Sequence, residues 1–271
     1  MKASVIMSTY NSEDWLEKVL LGFGMQTEKD FEIIIADDGS GDATKKMIDK
    51  LRQEIQIPIV HVWQEDNGFQ KSQILNKAIV ASNTDYLIFT DGDCIPRKDF
   101  VATHLEYREE GYFLSGGYFM LPMDISKLIS KKDIIEQKCF DLNWLLSKGL
   151  KKTFKNNKLA AKGFMARFLN FITPTKATWN GHNASGWKKD LVAINGFNQE
   201  MQYGGQDREL GERLFNLGIK SKQIRYSAIC IHLDHPRGYV NAATWEKNYG
   251  IRKNTVKNKV IKTPVGIDSN G

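Results

Sequence analysis

The sequence predicts an α/β fold on a mostly parallel sheet flanked by helices, and three observations carry that prediction. Through the first half of the 271 residues, apolar runs of strand length alternate with stretches of helical period. Each run then exits into small, acidic or turn-forming residues. The runs are also too uniformly apolar for a sheet with one wet face, which fits a parallel sheet covered by crossover helices on both sides.

Taken in order, the strands are "ASVIMS" (3–8), "FEIIIA" (31–36), "PIVHVW" (58–63) and "DYLIFT" (85–90). Between them, helical periodicity covers 13–23, 42–54 and 70–81. In the first of these, Trp15, Leu16, Val19, Leu20 and Phe23 share one face, Glu13 and Asp14 occupy the first turn, and Asn11 or Ser12 is the expected cap. In open sheets of this kind, ligands bind beyond the carboxyl ends of the strands. Those ends read "STYN", "DDGSGDAT", "QEDNGFQKSQ" and "DGDCIP". Any one of them is an ordinary turn or cap, but four in succession on one sheet edge point to a shared site.

The chemistry suggested by the set is binding of a nucleotide diphosphate. Asp91 and Asp93 stand one residue apart at a strand end, where their like charges repel unless neutralised. A hard divalent cation held by carboxylate oxygens relieves that repulsion and bridges phosphates. Thr9 and Tyr10 follow the first strand, and Asp37 and Asp38 follow the second. The two aspartates are placed to accept hydrogen bonds from a base or ribose, or else to cap the next helix. A chain with 41% hydrophobic residues buries a large core, and its formal charge of +6 favours anionic partners.

Together these residues resemble the inverting family 2 glycosyltransferases, over about residues 1–110. The resemblance implies a GT-A (Rossmann-like) fold, a nucleotide-sugar donor with uracil as the base, Asp93 as a direct metal ligand, and Asp91 beside the ribose or metal. Relatives carry Ala-Arg-Asn where this chain has Ile74-Leu75-Asn76, so the phosphate-contacting role falls to Lys71.

Residues 179–218 resemble a galactosyltransferase-like module. The usual Gly-Trp-Gly-Gly-Glu-Asp reads here Gln202-Tyr203-Gly204-Gly205-Gln206-Asp207, so of the acidic pair Asp207 remains as catalytic base. Independently, Leu210, Leu214 and Leu217 mark a helix starting near Gln206, with Asp207 in its first turn. An acid there is favourable in itself, so structure and function compete for it. Glu209 is the lesser alternative. Trp187 and Tyr203 are expected as acceptor-binding walls, with Trp179, Asn183, Arg208 and Arg213 as weaker candidates.

The stretch "RYSAICIHLDHPRGY" offers His232 and His235 directly after a strand-like run, and the resemblance places a metal-binding histidine near such a strand end, with His232 preferred over His235. Imidazole beside carboxylate suits Mn²⁺ better than Mg²⁺. His182 is expected in a loop facing the acceptor cleft.

The expected organisation is a donor half (1–115), a basic and apolar insertion (116–176), and an acceptor half with a basic tail (177–271). The insertion suits either an interfacial helix on anionic lipid, a lid, or a plain solvated face. Three dispersed cysteines suit a reducing compartment, and no stretch approaches 18 apolar residues. The sequence thus predicts a cytoplasmic transferase, peripheral at most to the inner membrane face, acting on a glycan or lipid-linked acceptor in cell-surface polysaccharide or lipopolysaccharide synthesis.

Rival readings fit less well. A nucleotidyltransferase would carry a Gly-rich, Arg-containing loop after its first strand, and a dehydrogenase would carry GxGxxG there. A nucleic-acid binder leaves four acidic strand ends unexplained. The remaining alternative is a non-catalytic nucleotide-sugar-binding module, because Gln206 departs from the usual acid.

Overall fold

The computed structural model describes residues 1–236 and 241–270. Its first half follows the predicted alternation: β1 (Ala3–Thr9), α1 (Glu13–Gly24), β2 (Phe31–Asp37), α2 (Asp42–Glu54), β3 (Ile59–Trp63), α3 (Lys71–Ala81) and β4 (Tyr86–Asp91). These strands pair in parallel in the order β3-β2-β1-β4.

Period-two alternation sends their side chains to two separate cores. Val5, Met7, Ile33, Ile35 and Ile88 join one, against α1 and α2. Ile6, Ile34, Ala36, Leu87 and Phe89 join the other, against Ile74 and Ala78 of α3. Burial on both faces accounts for the continuous apolar runs, each fully buried aliphatic contributing about 1.5–3 kcal/mol. The expected side-chain cap of α1 does not form. Asn11 instead takes a left-handed conformation (φ 41°), and its Oδ1 accepts from Gly41 N at 3.0 Å, tying the first two loops together.

Beyond β4 come β5 (Cys94–Pro96), α4 (Phe100–Tyr107), β6 (Tyr112–Ser115) and β7 (Gly117–Met120). Short helices follow: α5 (Met123–Leu128), α6 (Lys131–Ile135), α7 (Leu142–Ser147), α8 (Asn157–Ala160) and α9 (Gly163–Ile172). The chain then forms β8 (Ala184–Trp187), α10 (Lys188–Ala193), α11 (Gln206–Asn216), β9 (Lys220–Gln223), β10 (Ile229–His232) and α12 (Ala242–Lys257).

β8 inserts antiparallel between β4 and β6, and β9 closes the far edge, so both halves of the chain build one seven-stranded sheet. A smaller sheet, β5-β10-β7, sets His232 opposite Cys94. That pairing carries residues about 140 positions apart to the same place. No helix among the described residues is long and apolar enough to cross a membrane.

Candidate active site

The carboxyl ends of β1 and β4 meet the amino end of α11 at a cleft of about 540 Å³, within the range of ligand sites. Of the predicted residues, Thr9, Tyr10, Asp38, Lys71, Asp91, Asp93, His182, Tyr203, Asp207, His232 and His235 all line it.

At one end, Asp38 is held by two donors: Gln64 Nε2 at 2.7 Å to Oδ1 and Gln70 N at 2.9 Å to Oδ2. Burial raises its pKa. The Tyr10 hydroxyl donates to Asp66 Oδ2 at 2.7 Å, leaving its half-exposed ring at the rim. Thr9 Oγ1 is buried without a partner among the described residues.

Asp37 is a correction to the predicted nucleotide set. It is fully buried outside the cleft lining, accepting from Ser40 N at 2.8 Å, with His61 Nε2 2.8 Å from its other oxygen. One oxygen thus holds the loop and the other faces β3, so both are committed within the fold. Gly39, at φ +100°, follows with no room for a Cβ, which would lie 2.6 Å from Asp66 Cα.

The two carboxylates of "DGD" divide their work. Register places Ser8 opposite Asp91, and Asp91 Oδ1 accepts from Ser8 Oγ at 2.8 Å and from Lys71 Nζ at 2.6 Å. Burial by itself favours neutral forms of both Asp91 and Lys71. Their pairing outweighs it, driving Asp91 well below the usual carboxylate range and Lys71 well above the usual amine range, with Asp207 adding to the latter.

Asp93 faces histidines instead. Its Oδ2 lies 3.0 Å from His235 Nε2 and 3.7 Å from His232 Nε2. The two rings stack at 5.7 Å, and His232 Nδ1 sits 2.8 Å from the Leu233 carbonyl, which holds the ring with Nε2 toward Asp93. Ligand atoms of Asp93, Cys94 and His232 lie within 4.8 Å of one another. The Cys94 thiol is buried and pushed well above its ordinary pKa, so it stays protonated and hydrogen-bonds Asp93 Oδ1 at 3.3 Å. A carboxylate with imidazole nitrogens is a donor set that fits a divalent transition metal.

Asp207 stands in the first turn of α11, entered through Gly204 and Gly205 at φ +114° and +86°. Its carboxylate lies against Gly181, where any Cβ would come within 2.9 Å of both oxygens, and it accepts a backbone hydrogen bond from that glycine. Among the described residues, Oδ1 is buried with no partner. Burial raises its pKa to about 6; Lys71 opposes that rise and Asp91 adds to it. An acid merely stabilising a helix would face water or a donor, whereas this one keeps an acceptor oxygen that no described residue pairs. Gln206 turns back so that its Oε1 accepts from Gly204 N at 2.9 Å.

Tyr203 packs edge-on between Phe69 and Trp245 beside Asp207. Trp187 is a second correction: it pairs with Tyr86 at the opposite end of β4, and its Nε1 donates to the Glu109 carbonyl at 3.0 Å. Trp179 is wholly buried in the core. Asn183 bridges Gly117, Ala228 and His104, and Arg213 is buried in an ion pair with Glu209, which removes Glu209 from the chemistry.

Sequence reasoning missed Ser8, Phe69, Tyr118 and Met120, all of which line the cleft. Ser8 and Phe69 stood within the polar strand ends "STYN" and "QEDNGFQKSQ", whereas Tyr118 and Met120 carried no local signal. Burial lowers the pKa of His182 to about 4, leaving a neutral imidazole beside Asp91 and against the Tyr118 ring.

The family model for glycosyl transferase family 2 matches residues 4–167. An uncharacterized glycosyltransferase, YfnE of Bacillus subtilis, is 28% identical over 87% of this chain and 66% of its own length. The hyaluronan synthase of Pasteurella multocida is 27% identical over 95% of this chain but 27% of its own length. The chain therefore spans less than two thirds of either relative.

Among solved structures, Staphylococcus aureus TarS 1–349 in complex with UDP-GlcNAc superposes with a TM-score of 0.61 at 16% identity, over 99% of this chain and 69% of that one. The mannosyltransferase PcManGT of Pyrobaculum calidifontis, in complex with GDP-Man and Mn²⁺, gives 0.58 at 16%, over 95% and 62%. These likenesses establish the shared fold.

Proposed function

The chain belongs to glycosyl transferase family 2, and from that premise we propose that it moves a sugar from a nucleotide-sugar donor to a hydroxyl of a glycan or lipid-linked glycan, inverting the anomeric configuration. The observation that carries the proposal is a buried carboxylate oxygen on Asp207, unpaired among the described residues, on a residue lining the same cleft as the Asp93 and histidine cluster. The acceptor half would then be the galactosyltransferase-like module expected from 179–218, and the work would belong to surface polysaccharide synthesis on the cytoplasmic side. The sequence likeness to a hyaluronan synthase supports that setting.

Asp38, Thr9 and Tyr10 would hold the nucleoside, with uracil as the base. Asp207 would take the proton of the attacking hydroxyl, its pKa of about 6 leaving it ionised at neutral pH yet basic enough to accept. Lys71 would keep positive charge beside Asp91 and the diphosphate. Asp93, with His232 and His235, would hold a divalent cation, which supplies charge neutralisation at the leaving diphosphate. The mixed oxygen and nitrogen donors favour Mn²⁺ over Mg²⁺, and the neighbour solved with Mn²⁺ supports that choice.

Thermal unfolding with UDP, GDP, CDP and UDP-sugars, each with and without Mn²⁺, tests the donor half. The proposal expects metal-dependent stabilisation by a UDP compound that vanishes in Asp93→Ala. Nucleotide binding without turnover on any glycan acceptor would favour a non-catalytic binding module instead.

A further inference from the structure

Eight of the chain's 38 basic residues and none of its 32 acids lie between Lys148 and Thr178, leaving 30 basic and 32 acidic residues elsewhere. The net positive charge therefore resides in this one segment. Of its cations, Lys148, Lys151, Lys152, Lys155, Lys162, Arg167 and Lys176 are exposed.

Within the segment, α9 is oriented against the usual rule for surface helices. At about 100° per residue, Phe164, Met165, Phe168, Phe171 and Ile172 fall in one arc of roughly 120°. That arc faces solvent, with Phe164 83% and Phe171 89% exposed. The protein-facing side carries Ala166, clustered with Ala161 and Tyr226, and Asn170, which accepts from Tyr226 N and donates to Ser227 Oγ, both at 2.8 Å. A small and partly polar contact seats the helix, and the large apolar side chains are left outside. A monomer in water rarely shows such a patch unless something covers it.

We infer that α9 and its flanking lysines dock on an anionic membrane surface. Charge selects this occupant: a segment rich in lysine and free of acids in its own sequence, with Arg167 alone of its cations ion-paired among the described residues, to Glu106, borders an apolar arc and matches lipid phosphates above acyl chains, with the phenylalanines inserted and the lysines at the headgroups. The inner side of the same segment reaches the cleft. Lys158 Nζ donates to the Tyr118 carbonyl at 3.1 Å and lies over its ring, and Tyr118 lines the cleft. Docking would therefore bring the cleft wall to the bilayer, where a lipid-held acceptor is presented. This last consequence rests on the transferase reading, whereas the docking itself does not.

Co-sedimentation of the full chain with phosphatidylcholine vesicles, and with the same vesicles containing about one third phosphatidylglycerol, tests it. The expected result is at least about tenfold stronger partitioning onto the anionic vesicles, weakened by salt. Phe164→Glu with Phe171→Glu should remove that preference, and Lys151→Ala, Lys152→Ala and Lys155→Ala together should reduce it. The thermal unfolding midpoint and far-UV circular dichroism of the variants should stay as in the parent chain, showing that they fold. Equal partitioning onto both vesicle types, or none onto either, would overturn the inference. So would sedimentation equilibrium showing a dimer that the same phenylalanine substitutions dissociate, because a second copy would then cover the face.

Discussion

Asp207 holds a charge at some cost to the fold. Burial lifts its folded pKa from 3.8 to about 6, so the folded state binds this proton more tightly than the unfolded chain does. Stability from this group is therefore present below about pH 4 and lost as pH rises through 6. Asp207→Asn should stabilise the protein at pH 8 by on the order of 2 kcal/mol, read by chemical denaturation. The same substitution should lower kcat by about 10²–10⁴ while nucleotide affinity stays. In the parent enzyme, kcat should fall as pH drops through about 6, because the base must be ionised to accept. A substitution that loses both stability and activity would mark Asp207 as merely structural.

At the level of elements, α11 presents Asp207 on one side and anchors itself with the other. Arg213 and Glu209, one turn apart, are paired at 2.8 Å, and the guanidinium also donates to the carbonyls of Ile194 and Gly196. Arg213→Met should destabilise by about 3–5 kcal/mol, because it strands the Glu209 carboxylate and two carbonyls in the core. Asn248 of α12 donates to the Gly204 carbonyl at 2.9 Å and steadies the turn bearing Tyr203. Asn248→Ala should therefore raise the acceptor KM more than it changes donor binding, which separate titrations of the two substrates would resolve.

For the whole molecule, the decisive feature is one cleft served by both halves of the chain. If Asp93, His232 and His235 hold the cation that binds the diphosphate, chelation should abolish the stabilising effect of nucleotide. That effect is worth about 2.7 kcal/mol at a hundredfold excess over Kd. Restoring Mn²⁺ should recover it in the parent chain and not in His232→Ala. Nucleotide stabilisation that persists in chelator would remove the metal from donor binding.

The strands of the first half and the helices α1, α2 and α3 were legible because their spacing is local. Period-two and 3.6-residue patterns fall within a few residues of each other, and strand ends follow directly from them. Asp38, Asp91, Asp93 and Asp207 were legible for the same reason, each standing at an element terminus.

What pairs with them was not. Only the small sheet brings His232 opposite Cys94, and only the insertion of β8 places Trp187 at the far end of β4, since long-range register leaves no local trace. Asp37 and Asp38 are adjacent and chemically identical in sequence. They differ because successive positions at the end of an extended strand point to opposite sides, so one carboxylate is buried under the loop and the other opens into the cleft.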